Sequence, residues 1–169
     1  TNDENHDLGG KGMLVSMFPD GRRFATAWTQ RTAHIVDIKS GEVLREIDHG
    51  GRIWAFAVSP DGRQLLTGGL DKILRIWDAD TGDQTAAFDA LPDYALRAFF
   101  TPDSKEIIIG CHDSKLRVVD PKSGKPRLEI EHPAPVWSLA ATQDGQYLLT
   151  GTGGRVVGII PAFLKNRES

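Results

Sequence analysis

The feature that most constrains this chain is a repeat of 41 or 42 residues carried by two separate landmarks. A turn around Asp20, Asp61, Asp103 and Asp144 recurs at spacings of 41, 42 and 41. A second turn, around Asp37, Asp78 and Asp120, recurs at 41 and 42. Two independent landmarks sharing one period require the segments between them to be copies of a single supersecondary unit. His49 to Gly82 is the clearest copy, with short apolar runs separated by Pro60-Asp61-Gly62, by Gly68 to Asp71 and by Asp80 to Gly82. Each turn has its physical reason: proline presets φ, aspartate hydrogen-bonds nearby backbone, and glycine supplies positive φ.

The runs between turns are β-rich and about six residues long, as in Glu106 to Cys111 and Gln146 to Gly151. Runs this short, with no helical spacing, predict strands and exclude helices. In the first copy they are Met13–Met17, Arg23–Trp28, Ala33–Asp37 and Glu42–Ile47, and later copies begin at Ile53, Tyr94 and Val136. Four short strands per period is the arithmetic of a β-propeller blade. The expected fold is all-β, a propeller of four-stranded antiparallel blades over about 13–48, 49–90, 91–131 and 132–160. Residues 1–12 are polar and then glycine-rich, a solvated tail or a weak edge strand. The last unit stops early: after a strand at Arg155 to Ile160, Pro161 opens a tail over 161–169, so the fourth blade should lack its outer strand.

The His49 to Gly82 unit resembles a WD repeat, whose signature runs Gly-His, Ser-Pro-Asp-Gly, Gly-x-x-Asp and Trp-Asp. The resemblance implies that His49, Thr67, Asp71 and Trp77 form a buried hydrogen-bonded line across the blade, with a structural role. The other copies depart from it. The third has Leu91 for the histidine and Val119 for the tryptophan, while keeping Asp113. The fourth keeps His132 and Thr150 but has Gly154 and Ile160, and the first has Leu8, Gln30 and Val36. These copies are expected to rely on apolar packing, and removing Asp113 should cost less than removing Asp71.

Composition narrows the function classes. A net charge of −3 with scattered Lys and Arg disfavours nucleic acid, which demands a basic face. No apolar run approaches the roughly 20 residues of a membrane span. The lone Cys111 excludes an internal disulfide and reads as apolar filler. It leaves the compartment open, the cytoplasm favoured over the periplasm. A chain starting at Thr1 is expected to be processed or excised from a longer one.

Catalytic and metal constellations are not evident. His6, His34, His49, His112 and His132 have no ligand spacing, and Thr150 to Gly154 aligns with a strand-end turn rather than a phosphate loop. No cofactor, metal or enzymatic activity is therefore expected. Binding is the better expectation. Trp54 and Trp137 fill equivalent positions, Leu96 fills the third, and Tyr94, Arg97, Leu70 and His112 lie near the same level. These six candidates, Trp54, Leu70, Tyr94, Arg97, His112 and Trp137, form a protein-binding rim, or the tryptophans are inter-blade core.

The leading function is a protein-interaction scaffold. The alternatives are a sensor or regulatory domain of a larger chain, or an enzymatic propeller working through its channel. Four blades are few, so the ring is expected to be part of a longer propeller, half of an eight-bladed homodimer, or closed at four.

Overall fold

The computed structural model of the protein describes residues 12–28, 31–88, 91–153 and 157–161. They form four antiparallel sheets and no helix, so among the described residues no helix is long and apolar enough to cross a membrane. The first sheet runs β1 (Gly12–Met17), β2 (Arg23–Trp28), β3 (Thr32–Asp37) and β4 (Val43–Asp48). The second runs β5 (Ile53–Val58), β6 (Gln64–Gly69), β7 (Leu74–Asp78) and β8 (Gln84–Phe88). The third runs β9 (Ala95–Phe100), β10 (Ile107–Cys111), β11 (Lys115–Val119) and β12 (Pro126–Glu131). The fourth has three strands, β13 (Val136–Ala141), β14 (Tyr147–Thr152) and β15 (Val157–Pro161). Strand order follows chain order throughout, the meander of a propeller blade.

Pro161, expected outside the last strand, pairs with Tyr147 and ends β15. It is tolerated there because β15 is the edge of its sheet, where a missing N–H interrupts no ladder. The tail or edge strand expected over residues 1–11, the polar tail over 162–169, and the positions Leu8, Gln30 and Gly154 lie outside the described residues.

The aspartate turns do in the structure what their chemistry dictates. Asp20, Asp61, Asp103 and Asp144 each accept, at 2.8 to 3.2 Å, the backbone N–H two residues on. The hydroxyls of Ser59, Thr101 and Thr142 donate to the same carboxylates at 2.6 to 2.7 Å. The next residue is left-handed in every copy: Gly21, Gly62 and Gly145 at φ +64° to +72°, and Ser104 at +59°. Asp37, Asp78 and Asp120 cap the second turn through pairs of backbone N–H groups. Each landmark is thus a local turn that sets where one strand stops and the next begins.

Alternation in the strands gives every blade two faces, and the inner strands pack in order, β1 on β5, β5 on β9 and β9 on β13. No comparable packing joins β1 to β13, so the four blades form an open arc. Three apolar layers hold it together. Between the first and second blades, Ala25, Ala27 and Ile35 meet Ile53, Leu65 and Trp77. Between the second and third, Ala55, Leu66 and Ile76 meet Ala98, Phe100, Ile107 and Ile109. Between the third and fourth, Ile108, Leu116 and Val118 meet Leu148, Leu139 and Ile160. Each fully buried Leu or Ile stabilises this stack by roughly 1.5–3 kcal/mol.

Among the described residues, both end faces of the arc expose apolar side chains. On the fourth blade, Leu149 and Ile159 occupy the places of Leu66 and Ile76 but are 38% and 65% exposed, where their counterparts are at most 1%. On the first blade, Val15 and Met17 occupy the places of Phe56 and Val58 and are 67% and 55% exposed, while Thr26, His34 and Val36 on the same face are buried.

One irregularity repeats in all four blades. The ladder between the first two strands skips Met13, Trp54, Leu96 and Trp137, a β-bulge at the second residue of each inner strand. A bulged residue leaves the ladder and its side chain is re-aimed.

Candidate functional site

The bulges carry two of the candidate side chains, Trp54 and Trp137. Trp54 is half-buried, Trp137 is 46% exposed, and Leu96 in the equivalent place is fully buried. The same backbone position therefore gives a rim side chain in two blades and a core side chain in the third. Neither tryptophan belongs to an inter-blade apolar cluster.

Trp54 is tied to Arg97 and, through Arg52, to Leu70, while Tyr94 and His112 form a separate stacked pair. The Arg52 guanidinium lies over its indole, 5.3 Å from the ring centroid. From the third blade, Arg97 Nη1 donates to the carbonyls of Leu96 at 2.8 Å and of Trp54 at 3.4 Å. Leu70, 45% exposed, follows the end of β6, and its own backbone N–H donates to Arg52 O at 3.1 Å. Tyr94 and His112 stack with centroids 4.5 Å apart, and His112 Nδ1 is 3.1 Å from Asp93. Lys72, in the turn after Leu70, reaches Asp93 at 3.6 Å and donates to Pro92 O at 3.1 Å. Trp137 stands on the fourth blade beside Gly153. Arg52 was not singled out in the sequence, and its only signal was its place two residues before an inner-strand tryptophan.

Behind this rim lies the polar line of the second blade. Thr67 and His49 are buried to 0% and 1% exposure, and Trp77 to 7%. Trp77 Nε1–H donates to Thr67 Oγ1 at 2.8 Å, and Thr67 Oγ1 lies 2.8 Å from His49 Nδ1. His49 Nε2 is 3.3 Å from Asp71 Oδ1. A neutral imidazole protonated at Nε2 satisfies the whole line: indole to hydroxyl, hydroxyl to Nδ1, Nε2–H to carboxylate. Burial holds the His49 pKa below its ordinary value; Asp71 opposes this shift, and the Arg75 guanidinium reinforces it. Burial alone would raise the Asp71 carboxyl, but hydrogen bonds from Arg75 and the Ile73 N–H hold it below the usual carboxylate value.

Arg75 is a member of this line that the sequence reading missed. It bonds Asp71 Oδ2 and packs on the imidazole, with Nη1 3.3 Å from His49 Nε2. The signal was present as Asp-x-x-x-Arg in two copies, Asp71 with Arg75 and Asp113 with Arg117.

In the third blade that second pair changes the expectation. Arg117, 4% exposed, makes a bidentate contact with Asp113, at 3.1 Å and 2.6 Å, and donates to Glu129 at 2.7 Å. Ile109 and Val119 fill the Thr67 and Trp77 places. The blade does not rest on apolar packing alone, and Asp113 is no idle remnant, because without it a buried guanidinium loses its principal partner. The fourth blade keeps half the line, His132 Nε2 to Thr150 Oγ1 at 3.0 Å. Gly158 stands opposite Thr150 where Arg75 stands in the second blade, and a Cβ there would lie 2.5 Å from the Thr150 hydroxyl.

Among the described residues, no group of three or more His, Cys, Asp or Glu could hold a metal ion. Burial pushes the Cys111 thiol up to about 11, which keeps it protonated and unreactive. Among the described residues, a groove lined chiefly by Phe99, Phe100, Pro102, Leu139 and Ala141, with Pro60 of the second blade at its side, gathers no titratable side chains.

Comparison with known proteins agrees with this architecture. A family model described as WD domain, G-beta repeat matches residues 41–78 and 124–157. The chain is 33% identical over 86 residues to U3 small nucleolar RNA-associated protein 12 of Saccharomyces cerevisiae, covering 50% of this chain and 9% of that protein. It is 31% identical over 94 residues to WD repeat-containing protein SL1-17 of Schistosoma mansoni, covering 53% and 30%. It is 34% identical over 73 residues to human angio-associated migratory cell protein, covering 34% and 17%. The chain thus spans less than a third of the length of each of these relatives.

Proposed function

We propose that this chain, a member of the WD-repeat family, is a non-enzymatic scaffold that binds other proteins through the rim formed by Trp54, Leu70, Tyr94, Arg97, His112 and Trp137. The observation that carries this reading is the recurrent bulge, which takes one residue per blade out of the ladder and leaves Trp137 exposed and Trp54 half-buried. Aromatic residues and arginine are the side chains that most often anchor interfaces, and a bulge re-aims a side chain through a local break in the ladder. His49, Thr67, Asp71 and Trp77 serve this function structurally, by stiffening the blade that carries Trp54.

The test is a double substitution, Trp54→Ala with Trp137→Ala, in the intact protein. Affinity capture compared quantitatively between wild type and variant should show the same partner lost, with the melting temperature nearly unchanged. A large fall in melting temperature with partner capture preserved would return both tryptophans to a structural role.

The apolar side chains exposed on the two end faces favour a second, compatible association. Val15 and Met17 at one end and Leu149 and Ile159 at the other occupy positions that are covered elsewhere in the arc. An exposed pair of blade faces of opposite sense suits completion of a ring, either with the rest of a longer propeller or with a second copy. Sedimentation of the purified chain decides for the second copy: a mass near twice 18.5 kDa, reduced to 18.5 kDa by Ile159→Glu, is expected for an eight-bladed dimer. A monomer that Ile159→Glu leaves unaltered would remove it.

A further inference from the structure

The rim has a charge asymmetry that the interaction reading alone does not use. Its carboxylates are engaged by basic side chains of the protein itself. Asp48 is bonded by Arg31 at 2.8 Å, Asp71 by Arg75, Asp93 by His112 and Lys72, and Asp113 by Arg117. The two cations that touch Trp54 have no such counterpart. Arg52 is exposed and rests on the indole face, and Arg97 is exposed and bonds only the carbonyls of Leu96 and Trp54. The Trp54 indole N–H is shielded from solvent and has no acceptor. Two exposed guanidinium groups thus stand at Trp54, one over its ring and one on its backbone carbonyl, and neither is bonded to a carboxylate. Buried donors ordinarily have partners, and each one without them marks a place where an acceptor is missing.

We infer that this corner of the rim recognises an acidic peptide segment, in which an Asp or Glu carboxylate engages Arg52 and Arg97 and a neighbouring apolar side chain rests on Leu70 and Trp54. The inference rests on the rim being the partner-binding surface and names the chemistry of the partner. A guanidinium presents a fork of donors that matches a carboxylate, so two of them flanking an aromatic ring select a charged group beside an apolar one. The exposed Leu70 side chain supplies the apolar seat. Nucleic acid fits less well. Neutralising successive phosphates needs a row of cations, whereas this corner offers two arginines and a lysine already shared with Asp93, on a chain of net charge −3.

The experiment is selection of random dodecapeptides displayed on phage, with the intact immobilised chain as bait, run in parallel on three proteins. These are the wild type, the charge-reversed Arg52→Glu/Arg97→Glu pair and Trp54→Ala. Peptides enriched on the wild type should carry Asp or Glu next to a Leu, Ile or Phe. Synthetic copies should bind at least ten-fold more weakly to the charge-reversed protein and lose affinity between 50 and 300 mM NaCl, as an ion-paired contact requires. Circular dichroism melts of both variants keep folding separate from binding, since Arg52 and Arg97 are exposed.

Enrichment of neutral or basic peptides on the wild type would overturn the acidic assignment, as would equal binding to the charge-reversed protein. If those peptides are nevertheless lost on Trp54→Ala, the rim itself stands. A fluorescein-labelled single-stranded dodecanucleotide that binds more tightly than the best acidic peptide at 150 mM NaCl would also overturn it, in favour of a general anion surface. Absence of any enriched peptide refutes this proposal outright.

Discussion

The second and third blades have the same strands, the same turns and the same bulges, yet they hold their middle strands together by different chemistry. The second threads a neutral line, Trp77 to Thr67 to His49, and ends it on Asp71. The third has Leu91, Ile109 and Val119 in those places and keeps only the far end, with Asp113 and Arg117 joined to Glu129. Arg75 and Arg117 occupy equivalent positions, so the Asp–Arg pair is the part the two blades share. In the second blade it terminates a network, and in the third it is the network. The two solutions differ in risk. A chain of neutral groups loses one hydrogen bond at a time, whereas a buried guanidinium deprived of its carboxylate is an uncompensated charge.

The largest expected effect tests that difference directly. Asp113→Ala should lower stability by about 3 kcal/mol, because Arg117 is 4% exposed and retains only Glu129. Asp71→Ala should cost about 2 kcal/mol, since Arg75 lies nearer to solvent. Urea denaturation measures both. The opposite ranking would break the comparison and restore the order expected from the sequence. Exchanging the pair together, Asp113→Ala with Arg117→Met, should recover most of the loss.

Next in size is Thr67→Val, which keeps volume and removes the hydroxyl that two neighbours use. Trp77 Nε1–H and His49 Nδ1 would both lose their partner, at about 1.5 kcal/mol. A midpoint within error of wild type would show that the line carries no weight of its own.

Smaller still is a pH effect confined to the second blade. The folded His49 pKa lies below 6.5, so the unfolded chain binds this proton first. Its contribution is complete above pH 6.5 and falls as the pH drops through that value. Asp71, held below 3.8, adds its own loss only in stronger acid. Stability measured from pH 7 to pH 5 should decline in the wild type and decline less in His49→Gln. Parallel curves would place the titration elsewhere.

The smallest change belongs to the fourth blade. Ile159→Ala should move stability by less than about 0.5 kcal/mol if that face is open in solution, since 65% of the side chain is already exposed. A loss of 2 kcal/mol or more would mean that another blade covers it.

Much of this architecture was legible in the residues. Aspartates at fixed spacing announce turns because the carboxylate caps backbone within three residues of itself, and so needs no distant partner. The blade order follows from the period. The His49, Thr67, Asp71 and Trp77 set was legible through resemblance, because each residue holds its own signature position. The arginines were not. A lone Arg75 reads as a solvated strand residue, and only packing shows it lying on an imidazole. Burial at the bulge was equally hidden. Leu96 and Trp137 sit at equivalent positions with 0% and 46% exposure, a difference set by what neighbouring blades place across from them. Alternation tells which side a residue faces, never what stands opposite.

The repeated bulge also bears on how such a chain diversifies. A residue skipped by the ladder makes no register-setting pair, so its identity is uncoupled from the alignment of the strands around it. Methionine, tryptophan, leucine and tryptophan occupy this one slot in four successive blades, while the strands on either side keep the same pairing. Each blade therefore offers mutation one position where recognition can be rewritten without re-editing the fold. A ring of such positions is an alphabet that duplication lengthens one letter at a time.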